Sequence, residues 1–486
     1  MQHTLQRLAV ISNRLPVTLT LENGEFRSSA ASGGLVSALE PLLRKHGGYW
    51  VGNPGVAGHP QISEILRQAA ANRSYEYVPV YLSQDERENF YEGFSNQVIW
   101  PLFHDLQSRC NFDPIYWRHY LAVNEKFAAA AETIAGKTDL IWIQDYQLMQ
   151  VAKFIRARRT AARLAFFLHT PFPGVDIYAK LPWRTQILQG LLDHDLIGLQ
   201  TARDLRNFLT CVRVFLEKVQ IEKDGDAAVI HHAERIIHAG AFPISIDFEA
   251  FSRDAEKPLV GAKVAELKRQ SDSSRIVLGI DRLDYTKGIP ERIRAFATYL
   301  RQNERAHGAI SLYQIVIPSR EAIPEYQRLQ EEIERLVASV NGEWGQPGWT
   351  PIVYMYRPIP REELLAFYRV ADIALVTPLK DGMNLVCKEY CAAKNDAEGV
   401  LILSEFAGAA AEFESMAILV NSYDEEGIAN AIERALAMPD SERRNRMRKL
   451  RRQIQRFDLL HWRDRIFSAV QRLPSEEASA RSATAD

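Results

Sequence analysis

A chain of 486 residues, 47% hydrophobic and 25% charged, can bury the cores of two or three domains of a soluble globular protein. Its formal net charge of -2 excludes the basic surface of a general nucleic-acid binder. No stretch reaches the ~18 apolar residues of a membrane span, and MQHTLQRLAVISNR lacks a signal peptide's apolar core, so the expected location is the cytoplasm.

The apolar runs are short, β-branched and separated by helical patterns. LAVISN (8–13), LIWIQD (140–145), RLAFFLH (163–169), LIGLQT (196–201) and IIHAGAFPI (236–244) predict buried strands of a parallel sheet. A polar stretch then leads to an amphipathic helix near 260–270. A second series follows: RIVLGI (275–280), YQIVIPS (313–319), PIVYMY (351–356), IALVTP (373–378), VLILSE (400–405) and AILVN (417–421). Two βα series predict an α/β protein of two doubly wound, Rossmann-like domains, 1–244 and 245–455. A helical segment (456–474) and a polar, disordered tail (475–486) complete the expected order. In SERRNRMRKLRRQIQRF (441–457), Met447, Leu450, Ile454 and Phe457 share one helical face, so the arginines read as the solvated side of a docked helix. Cys387 and Cys391 lie one helical turn apart without partner histidines and read, like Cys110 and Cys211, as free thiols.

Two motifs fail on inspection. AETIAGKT (131–138) lacks the first glycine of a phosphate-binding loop and precedes a strand rather than a helix. Asp193 and Asp195 form an acidic pair but sit just before the LIGLQ strand, where polar residues are ordinary. The chemistry gathers instead where strands end, because loops and helix N-termini converge at the carboxyl edge of a parallel sheet. Asn13-Arg14 follow the first strand, and Gly33-Gly34 precede an apolar helix whose N–H groups can approach a phosphate. Asp145 ends the second run and His169 the third. In the second series Arg282 and Lys287 occupy a strand-to-helix loop, a place suited to a diphosphate, and Arg320 ends YQIVIPSR. Gly382 of Lys380-Asp381-Gly382 allows a tight turn, and Met383-Asn384-Leu385-Val386 then start a helix. Free N–H groups there can take a phosphate, while Asp381 and Glu389 can accept hydrogen bonds from sugar hydroxyls. A phosphate cradle flanked by hydroxyl-binding carboxylates describes a nucleotide-sugar site.

With these residues in view, ISNRLPV, SGGL, FYEGFSNQVIWPLFH, FFLHTPFP, DRLDYTKGIPER, IPSR, GWTPI, TPLKDGMNLVCKEY and LSEFAGAA resemble the motifs of the trehalose-6-phosphate synthase family, in family order over 8–422. The resemblance implies the GT-B fold of retaining glycosyltransferase family 20, with two Rossmann-like domains facing a cleft and the C-terminal helical sequence crossing back. It implies glucosyl transfer from UDP-glucose to glucose 6-phosphate with no cofactor and no metal. By the same resemblance Gly33, Gly34, Arg282, Lys287, Leu385, Val386 and Glu389 would hold the nucleotide sugar. Asp381 would bind donor-glucose hydroxyls and His169 would lie beside the donor sugar. Arg282, Lys287, Asp381 and His169 would carry catalysis. Arg14, Tyr91, Trp100, Asp145 and Arg320 would line the acceptor site, with Trp50 packed nearby. Small-molecule substrates are implied, without nucleic acid or membrane partners, and a homo-oligomer is left open.

One departure stands out. The family reads H-D-Y-H where this chain has Gln144-Asp145-Tyr146-Gln147, replacing two groups that can carry a proton near neutral pH by two that cannot. Sister enzymes of the fold make glucosylglycerol phosphate or pseudo-sugar phosphates, so the acceptor and the nucleotide base are the points the sequence leaves open. A catalytically silent sugar-phosphate sensor would be expected to have lost Lys287, Asp381 or Glu389, and all three are present. A dinucleotide oxidoreductase would need G-x-G-x-x-G after the first strand, which is absent.

Overall fold

The first apolar run becomes β1 (Leu8–Arg14), buried from Leu8 to Ser12 and emerging at Asn13 and Arg14. The structure, a computed structural model, describes residues 7–473 apart from 23–24, 31–33, 57, 59, 72, 137, 139, 159–161, 272–273 and 322. The tail expected at 475–486 lies outside the described residues. Contacts divide the chain into two units, one running through Pro243 and resuming at Arg463, the other spanning Ile244–Trp462.

In the first unit β2 (Val17–Glu22) and β3 (Glu25–Ala30) form a separate hairpin. α1 (Gly34–His46) leads to β4 (Gly48–Asn53) and β5 (Tyr75–Pro79). Then come β6 (Leu140–Gln144), β7 (Arg163–Phe167), β8 (Leu196–Leu199), β9 (Gln220–Asp224), β10 (Ala227–His232) and β11 (Arg235–Ala241). The nine-stranded sheet has the order β5-β4-β1-β6-β7-β8-β11-β10-β9. It is parallel except where β10 runs antiparallel to β9 and β11. The strands near its centre are continuous apolar runs because helices cover both faces, and all five residues of β6 are buried.

The second unit repeats the logic. β12 (Arg275–Arg282), β13 (Ile310–Ile317), β14 (Ile352–Tyr356), β15 (Ile373–Val376), β16 (Val400–Ser404) and β17 (Ile418–Val420) form a wholly parallel sheet in the order β14-β13-β12-β15-β16-β17. The order reverses direction between β12 and β15, the switch point where ligands bind in open α/β sheets. α2 (Ile289–Gln302) follows β12 and α3 (Leu385–Ala393) follows β15.

The arginine run forms α4 (Asp440–Arg456), which buries Met447, Leu450 and Ile454. Arg443 and Arg444 pair with Glu398, so this charge serves packing. α5 (Leu459–Gln471) belongs to the second unit up to Trp462 and to the first from Arg463, later than the boundary expected after residue 455. Trp462, Ile466 and Val470 recur every four residues on one buried stripe, so the helix has no break where the units change. Its second half is held by Arg163 Nη1 on the Val470 carbonyl (3.0 Å) and by Arg465 Nη2 on the Ala241 carbonyl (3.1 Å).

Candidate active site

In the second unit, Arg282 ends β12 exposed, and the next turn is built on Asp284. Asp284 Oδ1 accepts from the Thr286 N–H (3.0 Å) and hydroxyl (2.9 Å), which shapes the short turn Tyr285–Lys287. Gly288 follows with φ 63°, and a Cβ there would lie 2.3 Å from the Thr377 carbonyl oxygen. Only glycine fits both the left-handed backbone and that approach. The Leu379 N–H donates to Thr286 O at 2.8 Å, stitching the loop after β12 to the loop after β15. This stitching brings Lys287 Nζ to 2.5 Å from Asp381 Oδ2, two residues 94 positions apart.

The loop after β16 supports Asp381 from beneath. The Gly408 N–H donates to Asp381 O (3.1 Å) and the Ala409 N–H to Met383 O (2.9 Å). A Cβ on Gly408 would stand 1.9 Å from Gly382 O, which accounts for the small residues of LSEFAGAA. Asn384 donates to Asp381 Oδ2 (3.2 Å) and caps α3 by accepting the Cys387 N–H (3.1 Å). The N–H groups of Leu385 and Val386 lie ahead of that bond, at the positive end of the helix. Glu389 accepts the Tyr368 hydroxyl at 2.8 Å, and burial pushes its carboxyl above the usual range. Lys388 points elsewhere, to Ile244 O (2.9 Å) and Glu412 Oε1 (2.8 Å), so it ties α3 to the start of the unit. Arg320 is folded onto the same framework, its guanidinium on the Tyr326 hydroxyl and 3.4 Å from Asp284 Oδ2.

The first unit carries the other group. Arg14 and Tyr91 line a cavity of about 210 Å³ together with Asn13, Ser83 and Arg87. The Arg14 guanidinium carbon lies 6.0 Å from the Tyr91 ring centroid, within cation–π range. Tyr91 sits on a π-helix (Arg87–Ile99), whose wider turns are frequent at functional sites. Trp50 is not a wall of this cavity. It is 0% exposed, and its Nε1 donates to Ser12 Oγ (2.8 Å), which in turn donates to Arg14 O (2.6 Å). It therefore braces the Arg14 backbone from the core side. Trp100 is likewise buried, packed at a tilt against His104 and Tyr146.

At the ends of β6 and β7, Asp145 Oδ1 accepts the His169 backbone N–H (3.1 Å), and His169 Nε2 lies 3.0 Å from Gln144 Oε1. Burial pushes the His169 imidazole down to about 3, so it is neutral at physiological pH. Gln147 is buried on the same segment, where its carbonyl accepts from Asn124 (3.0 Å). Gly33 lies outside the described residues, and Gly34 is the first residue of α1. Three of the eight described non-glycine residues with positive φ are candidate-site residues: Asp145 (71°), Arg320 (53°) and Asn384 (74°). Such conformations cost about 1–3 kcal/mol each and persist where the surroundings enforce them, commonly at active sites.

Of the pair Asp193 and Asp195, the second has a structural carboxylate, and the first offers its backbone carbonyl to Arg156 (3.3 Å) and Arg235 (3.2 Å). Asp195 accepts from Arg156, Arg235 and the Leu164 N–H. Among the described residues no group of three or more His, Cys, Asp or Glu could hold a metal ion, and no helix is long and apolar enough to cross a membrane.

One residue outside the sequence reading, Arg292, holds the second unit's loops in place. Arg292 is 0% exposed and reaches Asp281 (2.8 Å), Thr377 Oγ1 (3.1 Å), Gln314 (3.2 Å) and Lys287 O (3.3 Å). Burial pushes the Asp281 carboxyl up despite that guanidinium. Burial also pushes Asp284 up, but Arg320 and then Lys287 outweigh it and hold this carboxyl below the usual range. No local motif announces such buried pairs.

Two doubly wound units, the second gathering Arg282, Lys287, Asp381 and the N-terminus of α3 at the switch point of its sheet, form the framework of a glycosyltransferase. The chain belongs to glycosyltransferase family 20, whose family model matches residues 6–472. It is 42% identical over 472 residues to the trehalose-6-phosphate synthase of Mycobacterium tuberculosis (strain H37Rv), covering 95% of this chain and 94% of that one. An α,α-trehalose-phosphate synthase (UDP-forming) from Burkholderia xenovorans, solved in complex with glucose-6-phosphate, superposes with a TM-score of 0.86 at 31% identity, covering 96% of this chain and 100% of that one. A structure described as "Trehalose-6-phosphate from E. coli bound with UDP-2-fluoro glucose" gives a TM-score of 0.86 at 33% identity, with 96% and 99% covered.

Proposed function

We propose that this glycosyltransferase moves glucose from UDP-glucose to glucose 6-phosphate with retention of the α configuration, giving α,α-trehalose 6-phosphate. The observation that carries the reading is the Lys287–Asp381 pair, 2.5 Å apart at the start of a helix with forward-facing N–H groups. The similarity to synthases solved with glucose 6-phosphate and with a UDP-glucose analogue supports the substrate assignment.

In this reading Arg282, Lys287 and the Leu385 and Val386 N–H groups bind the donor diphosphate. Asp381 and Glu389 accept from neutral hydroxyls, Asp381 on the donor glucose and Glu389 on the ribose. Arg14 binds the acceptor phosphate and Tyr91 flanks it. The C1–O bond to UDP breaks, and the acceptor hydroxyl oxygen bonds to C1 on the same face. The hydroxyl proton passes to the departing β-phosphate oxygen. Negative charge grows on that phosphate as the bond breaks, so fixed cations stabilise the transition state more than the ground state. In this reading cationic side chains and helix N–H groups supply the compensating positive charge in place of a metal.

The test is product analysis with UDP-, GDP- and ADP-glucose against glucose 6-phosphate and glycerol 3-phosphate, each run with EDTA. Trehalose 6-phosphate from UDP-glucose, undiminished by EDTA, is the expected result. Transfer to glycerol 3-phosphate alone, or loss of activity restored by Mg²⁺, would replace this reading.

A further inference from the structure

We propose that Gln144 is a positioning residue whose side-chain amide fixes the tautomer and orientation of the His169 imidazole. The inference rests on the function proposed above, since it concerns how the imidazole meets a sugar hydroxyl. Gln144 is the last residue of β6, 0% exposed, and its Oε1 lies 3.0 Å from His169 Nε2. An amide oxygen can only accept, so Nε2 carries the proton and Nδ1 is left as the ring's acceptor. Among the described residues the Gln144 amide nitrogen has no partner, which leaves the bond to His169 as the anchor of that side chain. The His169 ring packs edge-on against Phe167, while the residue's backbone N–H donates to Asp145 and its backbone carbonyl accepts from Gln200. The Asp145 carboxylate lies beside it and accepts the His169 backbone N–H. A glutamine at 144 thus orders the ring without adding charge to it. A carboxylate there would do the opposite, stabilising the imidazolium and bringing its titration towards neutrality.

The first measurement uses the wild-type enzyme: ¹⁵N NMR of the imidazoles, with His169 assigned by its loss in His169→Asn. One neutral tautomer, protonated at Nε2 and unchanged across about pH 5–8, is expected. A mixture of tautomers, the Nδ1–H form, or titration in that range would overturn the proposal. The second compares pH profiles of kcat/KM for Gln144→Leu and Gln144→Glu. Gln144→Leu should lose about 5- to 30-fold at every pH, the range of one modest hydrogen bond plus lost orientation. Gln144→Glu should gain an inflection near neutrality that wild type lacks. Wild-type profiles from both variants would also overturn it. The tautomer is read without turnover, so a wrong substrate assignment would show in product analysis and leave this measurement intact.

Discussion

Lys287→Ala is expected to lower kcat for glucosyl transfer by about 10- to 150-fold, the range of one charge-assisted contact of ~1.5–3 kcal/mol. The side chain is 12% exposed and paired with Asp381, which is itself 15% exposed, so it is already held in place before donor binds. A preorganised cation stabilises growing leaving-group charge without moving. Removing it also takes the ammonium away from Asp381 and leaves that carboxylate's charge beside an anionic diphosphate, which adds repulsion. The loss should therefore appear in kcat as well as in kcat/KM for the donor. Lys287→Arg should recover little, because a planar fork does not replace a compact ammonium. Steady-state kinetics with the donor varied checks this, and unchanged turnover would make Lys287 only the partner of Asp381.

Arg14→Ala should weaken use of glucose 6-phosphate by about 10- to 100-fold while leaving UDP affinity unchanged, since one charge-assisted phosphate contact is lost. Arg14 lies in the first unit, in the 210 Å³ cavity with Tyr91 and Arg87, away in sequence from every donor residue of the second unit. The variant should also discriminate less between glucose 6-phosphate and free glucose. Kinetics with each acceptor and titration with UDP separate the outcomes. Loss of UDP binding with acceptor use intact would reverse the assignment. Arg320 is a less clean test, because its guanidinium is shared with Asp284 and Tyr326 and its removal would loosen the Lys287 turn.

Strand ends were the informative part of the sequence. Arg14, Asp145, His169, Arg282 and Asp381 follow apolar runs that could only be buried parallel strands, so their location at a carboxyl edge followed from topology. Strands without such runs were missed. GYWVGN in β4 opens on a glycine, and QIEKD in β9 is almost wholly polar because it lies at the sheet's antiparallel edge. YEYVP in β5 is half exposed and ends in proline. The supports of the site were illegible for a different reason. Arg292 meets Asp281, Gln314 and Thr377, and Lys388 meets Glu412 and Ile244, through contacts that only tertiary structure creates. Trp50 shows the converse limit: its motif points to the acceptor site, but its indole lies behind Arg14 in the core.

The central claim is same-face transfer to a sugar phosphate, driven by charge fixed around the leaving diphosphate. The measurement that tests it most directly is ¹H NMR of the product formed from UDP-glucose and glucose 6-phosphate in EDTA, with UDP release followed in parallel. Two α-anomeric signals, one product formed per UDP released, are predicted. A β-anomeric signal, or UDP release with free glucose as the only sugar product, would contradict the account.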